Sequence, residues 1–368
     1  MVAGGVFQHA LRLLLIALAA FALSGCGMAN GGLGVVQSSV SQHTSCPEAY
    51  YSGPVWAPDG DTIYYSFQRG IGIGSEIRAL DTRAGVDRLV ATGGKLPQVS
   101  PDGAWVLYRN ATTLHGDRWD VFLARADGSE TRHILDITSG TTAWSPDSQR
   151  IVFVDAPDGD ANLYLYDLAT HASAPLVVSV GSDINPVWSP DGSQIAFASD
   201  RQDSRLIYLI NADGSAERRL TEFNAVCSRS PHWDDPEAWL PDSSGLAFTR
   251  TCDGYRVVQI ADMQGKLIDD WSRLRHQSQW PEWSADRSQI VYQLNRNNYY
   301  VIRAMNADGS NDRELAVDAW SAHLAPDGKR LVVVSHDPNG LTALYLMDIE
   351  TGASIPLTSN PGNGVCFH

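Results

Sequence analysis

Basic residues are scarce in this chain: 27 lysines and arginines stand against 42 aspartates and glutamates, for a formal charge of −15 over 368 residues. That balance excludes nucleic-acid binding by phosphate neutralisation, which needs a basic face. It names no partner, because acidic surfaces are ordinary for soluble proteins. The apolar run from Leu13 to Leu23 is too short to span a bilayer, and with Arg12 before it this run reads as an export signal. No G-x-S-x-G occurs, so the serine nucleophile of a peptidase is missing. Cysteine is limited to Cys26, Cys46, Cys227, Cys252 and Cys366.

What the chain has in abundance is one phrase. WSPDGSQIAFASD at 188–200 recurs in variants whose aspartates are Asp59, Asp102, Asp147, Asp191, Asp242, Asp286 and Asp327. Their spacings of 43, 45, 44, 51, 44 and 41 residues match a four-stranded propeller blade. Each copy has the same grammar. Strand A ends at a tryptophan or its substitute, and S-P-D-G makes the turn: proline presets φ, aspartate bonds local amides, and glycine takes the positive-φ position. Strand B is β-branched and aromatic, as in Ile151-Val152-Phe153. Strand C follows a variable loop, and an Ala-Asp-Gly-Ser hairpin at 126–129, 212–215 and 307–310 leads to strand D.

These W-S-P-D-G, I-A-F, I-Y-L and A-D-G-S phrases resemble the TolB-type propeller repeat and cover residues 53 to about 357. The resemblance implies an all-β, seven-bladed propeller of four-stranded antiparallel blades, one blade more than TolB and without its separate α/β domain. Blades are expected to start near 53, 96, 141, 185, 236, 280 and 321, within a propeller over 46–368. Residues 1–25 are expected to be a signal peptide. Leu23-Ser24-Gly25-Cys26 resembles the bacterial lipobox, which implies a lipid on Cys26; an ordinary signal peptide cut after Ala29 is the alternative. Gly27 offers no aspartate for inner-membrane retention, so in a cell with two membranes the expected home is the periplasmic side of the outer membrane. Residues 26–45 read as a flexible tether.

In an exported chain the four remaining cysteines can oxidise, with three possible pairings. Cys227 in the connector into blade 5 and Cys252 in the B–C loop of that blade share one face and one angular position, so they are expected to pair. Cys46 and Cys366 flank the seam where the ring begins and ends, so a second bond is expected there. The alternative is that one or both pairs stay as thiols.

The A–B and C–D turns share one short, tight face. The B–C loops and D–A connectors share the other, and its length variation makes it the expected binding face. There His232, Trp233, Asp234 and Asp235 in the connector, with Trp280, Glu282, Trp320 and His323 at the entries to blades 6 and 7, form a candidate partner patch. A second reading has these tryptophans pack connectors onto blades while the aspartates cap turns. Trp56, Trp144, Trp188, Trp239 and Trp283 recur in register and are expected to pack between blades.

Strict alternation places Val55, Gln98, Ala143, Val187, Ala238, Glu282 and His323 toward the channel, with a second set at Gly53, Leu96, Thr141, Asn185, Pro236, Trp280 and Ser321. This list holds one glutamate and one histidine. It gives a hub-centred lyase or hydrolase little to work with, unless a register change in blade 5 turns Asp235 or Glu237 inward beside Glu282. The glycine-rich 70–74 segment joins two strands and lacks the helix of a phosphate loop. No cofactor is expected, except that Asp155, Asp158 and Asp160 have spacing that suits calcium, without a closing bidentate glutamate. The expected role is a monomeric, membrane-tethered scaffold that binds another envelope protein or a glycan; the alternative is a carbohydrate-active enzyme on the same ring.

Overall fold

A computed structural model describes residues 49–70, 74–111, 118–202, 204–222, 233–252, 255–269, 278–296, 299–338 and 340–358. The chain divides into units Met1–Thr44 and Ser45–His368, and the described residues all lie in the second. Cys26, Cys46, Cys227, His232 and Cys366 fall outside them, as does the side chain of Cys252.

The described residues form 28 strands in chain order, without a helix. They group as seven four-stranded antiparallel blades in a ring: β1–β4 from Ala49, β5–β8 from Lys95, β9–β12 from Thr142, β13–β16 from Asp183, β17–β20 from Trp233, β21–β24 from Ser278 and β25–β28 from Ala319. A single parallel bridge between Arg205 and Trp233 joins the third strand of the fourth blade to the first strand of the fifth. Among the described residues each blade is made of consecutive chain, and the first and last blades exchange no strand.

Blades adhere through their A-strand tryptophans. Trp188 packs on Val152 and Val154 of the preceding blade, Trp239 on Ala196 and Leu209, and Trp283 against Ala247 and Ile260. The indole N–H of Trp56, Trp144 and Trp239 donates to the carbonyl of His323 (3.1 Å), Gln98 (3.3 Å) and Val187 (3.1 Å), each in the blade before. Trp56 makes this contact across the seam. It buries its ring there with Ala325 and Val332, while Tyr51, Tyr65, Val334 and Leu344 fill the remainder. Burying a side chain of this size contributes on the order of 3 kcal/mol.

The S-P-D-G turn is a closed hydrogen-bond unit. In blade 4 the Ser189 hydroxyl donates to Asp191 Oδ1 (2.6 Å) and accepts from the Gln194 N–H (2.9 Å), while Asp191 accepts from the Ser193 N–H (2.9 Å). Ser100, Ser145 and Ser284 repeat it in blades 2, 3 and 6. Glycine holds the positive-φ position at Gly60, Gly103, Gly192 and Gly328, but Ser148, Ser243 and Arg287 hold it in blades 3, 5 and 6. The left-handed region costs a residue with a Cβ about 1–2 kcal/mol. Contacts to the preceding blade offset that cost. Ser148 accepts from the Asp102 N–H (3.0 Å), Ser243 from the Asp191 N–H (3.2 Å), and Arg287 pairs with Asp242.

The carboxyls of Asp59, Asp102, Asp147, Asp191, Asp286 and Asp327 are all held below the ordinary value. Asp286 is pulled to about 2 by the Ser284 hydroxyl and the N–H and hydroxyl of Ser288. A depressed carboxyl contributes stability above its unfolded value and loses it as pH falls through the folded one. The thermal midpoint should therefore drop steadily as pH falls below about 4. Replacing Asp191 and Asp286 together by asparagine should flatten that slope, and an unchanged slope would show that the turns do not set acid stability.

Candidate functional site

Strand A does not alternate strictly, and this corrects the expected list of channel-facing residues. Pairing of strands A and B shifts between Ser52 and Val55, Lys95 and Gln98, Ile184 and Val187, Gln279 and Glu282, and Trp320 and His323. One extra residue enters strand A at each site, as a β-bulge. Gly53, Leu96, Asn185, Trp280 and Ser321 occupy it with φ between 48° and 56°. Bulge positions of neighbouring blades touch: a Cβ on Gly53 would lie 3.6 Å from Leu96 Cδ2. The same backbone device thus carries a different side chain in each of these five blades.

In blades 6 and 7 the bulge carries Trp280, 55% exposed, beside the small Ser321. Below them lies a cavity of about 260 Å³ lined also by Glu282, Gln293 and His323. Glu282 reaches across the blade boundary with both oxygens: Oε1 pairs with His323 Nδ1 at 2.7 Å and Oε2 accepts the Leu324 N–H at 2.8 Å. Burial works against a charged imidazole, but the charge and hydrogen bond of Glu282 outweigh it, and the His323 pKa is raised. Gln293 is 3% exposed, and its Nε2 meets no acceptor among the described residues.

In blade 5 the extra residue is Glu237, since Pro236 pairs with Phe248 and Ala238 with Ala247. Its carboxyl is pushed up to about 7, first by burial and then by the charge of Asp235, against a 2.7 Å bond from Thr249 Oγ1. Asp235 accepts from Asn185 Nδ2 (3.0 Å) and Arg205 (3.3 Å), tying blade 5 to blade 4. Asp234 is enclosed, and Arg250 grips both its oxygens at 2.7 and 2.6 Å. Its placement is structural rather than partner-facing, because an aspartate with no exposed surface cannot meet another molecule. Trp233 is 49% exposed, and the Arg205 guanidinium lies 5.4 Å from its ring. Trp320 packs at the seam and meets His336 edge-on at 4.9 Å.

Of the aspartates with calcium-like spacing, Asp155 Oδ1 is taken by the N–H and hydroxyl of Thr138, both at 2.9 Å. Asn162, next in that segment, accepts from the Ser179 N–H at 3.0 Å. Sequence reasoning passed over a different group, Asp120, His133 and Asp136, which converges on exposed outer strands of blade 2. A bulge between Val121 and Phe122 puts His133 beside Asp136. Sequence spacing gives no sign of it.

No family model matches the chain. TolB of Francisella tularensis subsp. mediasiatica is 25% identical over 259 residues, covering 67% of this chain and 58% of TolB. The uncharacterized peptidase YuxL of Bacillus subtilis is 24% identical over 204 residues, 51% of this chain and 28% of that protein. In both, the match spans less than two thirds of the relative. Among solved structures, an oligogalacturonate lyase in complex with manganese overlays with TM-score 0.62 at 19% identity, covering 83% of this chain and 90% of the lyase. The propeller domain of the trilobed protease from Pyrococcus furiosus gives 0.64 at 13%, covering 85% and 99%. TolB from Acinetobacter baumannii gives 0.52 at 16%, covering 81% and 79%.

Fold and repeat define a seven-bladed β-propeller, and the solved neighbours share that fold. In sequence the propeller is similar to TolB over two thirds of the chain.

Two substitutions separate structural from surface roles. Asp234→Ala leaves Arg250 buried without its partner and should cost about 3–5 kcal/mol in chemical denaturation, whereas Trp233→Ala should change stability little; equal losses would refute the division. Glu237 has a folded pKa above its unfolded one, so its stabilising share is complete below about 4.5 and lost as pH rises through about 7. Glu237→Gln should accordingly stabilise the fold at pH 8 by up to about 3 kcal/mol and leave it nearly unchanged at pH 4. A gain that is the same at both pH values would place the titration elsewhere.

Proposed function

We propose that this chain is an exported, lipid-anchored propeller that serves as a binding scaffold for another cell-envelope protein or a glycan. The observation that carries this reading is the pair of half-exposed tryptophans, Trp233 and Trp280, at the entries of adjacent A strands. They stand on the face that carries the variable connectors, and rigid aromatic anchors of this kind dominate binding energy. The relationship to TolB supports a partner in the envelope. Cys26 is the lipid attachment site in this reading. The protein acts as a monomer on the periplasmic side of the outer membrane of a two-membrane cell. Export also supplies the oxidising setting for bonds between Cys227 and Cys252 and between Cys46 and Cys366.

A hub-centred carbohydrate-active enzyme is the second reading. Glu237 favours it, because a carboxyl near 7 is suited to general acid–base work. Turnover of a carbohydrate library, lost in Glu237→Gln, would select it.

In-cell crosslinking from a photoreactive residue placed beside Trp233 tests the scaffold reading directly. Capture of a Tol-pathway protein or a peptidoglycan-associated lipoprotein is expected, with Trp233→Ala reducing capture at unchanged thermal stability. Undiminished capture by that variant would overturn the assignment of the face. Cys26→Ser should release the protein from membranes or leave the precursor uncleaved, and normal processing with membrane retention would remove the lipid anchor from the proposal.

A further inference from the structure

The cavity between blades 6 and 7 has a composition that selects a ligand class. One wall is the indole of Trp280, flat, apolar and 55% exposed. The floor holds Glu282, paired with His323 at 2.7 Å, and the amide of Gln293, whose Nε2 has no acceptor among the described residues. Ser321 adds a hydroxyl at the edge. Both oxygens of Glu282 accept hydrogen bonds, as a carboxylate does, and the direction of the His323 shift keeps its imidazole protonated further into the neutral range. The pair cancels its own charge. An anion in the cavity would face Glu282 and a cation would face His323, so neither sign is favoured. A neutral molecule with an apolar face and a rim of hydroxyls meets every wall.

We propose that this cavity binds one neutral sugar ring of a glycan, with Trp280 as stacking platform and Glu282, Gln293, Ser321 and His323 as the hydrogen-bonding rim. The volume, about 260 Å³, lies just under the roughly 300–1,000 Å³ of drug-sized pockets and suits a single ring rather than a chain segment. Its origin is local. Trp280 and Ser321 hold equivalent bulge positions, and the small serine leaves open the space beside the large indole. Gln293 is the partner of Gln279 across strands A and B of blade 6, so the unused donor sits on the cavity side of a fixed strand pair. An amide this deeply buried without a partner costs stability that a ligand acceptor would recover.

This inference rests on the glycan half of the reading above. The protein half is tested separately by crosslinking at Trp233, which does not line the cavity. The experiment is calorimetric titration of the full chain with cellobiose and N,N′-diacetylchitobiose, with digalacturonate and choline as charged comparators. Saturable binding of a neutral disaccharide is expected, weakened about tenfold or more in Trp280→Ala and in Ser321→Leu. The second variant fills the cavity at a position where the equivalent Leu96 of blade 2 already holds the same backbone conformation, so it remains informative if the first fails to fold. Leu89→Ala, on the exposed outer strand of blade 1, should bind sugar like the parent. Absence of saturable binding to both neutral probes, a preference for digalacturonate or choline, or binding that Ser321→Leu leaves unchanged would overturn the proposal.

Discussion

Ring closure is the constraint on which the rest of this molecule depends. Among the described residues each blade is built from consecutive chain, so no shared strand ties the seventh blade to the first. Within them the interface holds by burial, supplemented by isolated hydrogen bonds such as Trp56 to the His323 carbonyl, Tyr51 to Thr342 and Arg330 to the Gly60 carbonyl. A four-stranded blade leaves both broad faces apolar and cannot exist without neighbours. All seven interfaces therefore stand together, and in five of them a tryptophan at the end of strand A packs across the boundary, with Val99 and Leu324 at that position in the second and seventh blades.

That requirement divides the two ends of the ring. On the tight face, the A–B turns touch from blade to blade. Gly103 lies against Pro58 and Gly192 against Pro146, while Ser148, Ser243 and Arg287 bond backward to the turn before. Little freedom is left there for a binding function. On the other face, the A strands enter through a bulge that relaxes the register and allows the first residues to be chosen independently of the core. Glycine, leucine, asparagine, tryptophan and serine all occur at that one backbone position. A closed ring of blades thus supports a mouth whose chemistry differs from blade to blade.

The charged groups near the hub divide by solvation. Asp234 and Arg250 are both enclosed, and their bidentate geometry is what makes such a buried pair tolerable. Glu282 and His323 are about one-third exposed on their side chains and hold each other across a blade boundary, so the same pair fastens blade 7 to blade 6 and lines a cavity. Among the described residues Glu237 has no cationic partner at hydrogen-bond distance comparable to Arg250, and burial drives its carboxyl toward the neutral form.

Architecture was decided by the sequence alone. A phrase repeated at blade length, with turn residues at fixed offsets, admits one kind of stacking, and Asp59 through Asp327 number the blades. The interblade role of Trp56, Trp144, Trp188, Trp239 and Trp283 was equally legible, because an apolar residue that recurs in register in every repeat must face a surface common to every repeat. Tertiary structure decided which residues of the mouth meet. Alternation fails where a bulge inserts one residue, and the bulge leaves only a partial signal in the sequence: Gly53-Pro54, Leu96-Pro97, Asn185-Pro186 and Trp280-Pro281 share a proline, while Ser321-Ala322 has none. Whether Asp234 and Asp235 face solvent depended on Arg250 and Arg205, which lie 16 and 30 residues away along the chain. The pairing of Glu282 with His323 and the isolation of the Gln293 amide arise only when blades 6 and 7 are brought side by side, since a sequence pattern specifies which face of a strand is buried but not which polar atoms a neighbouring blade will supply.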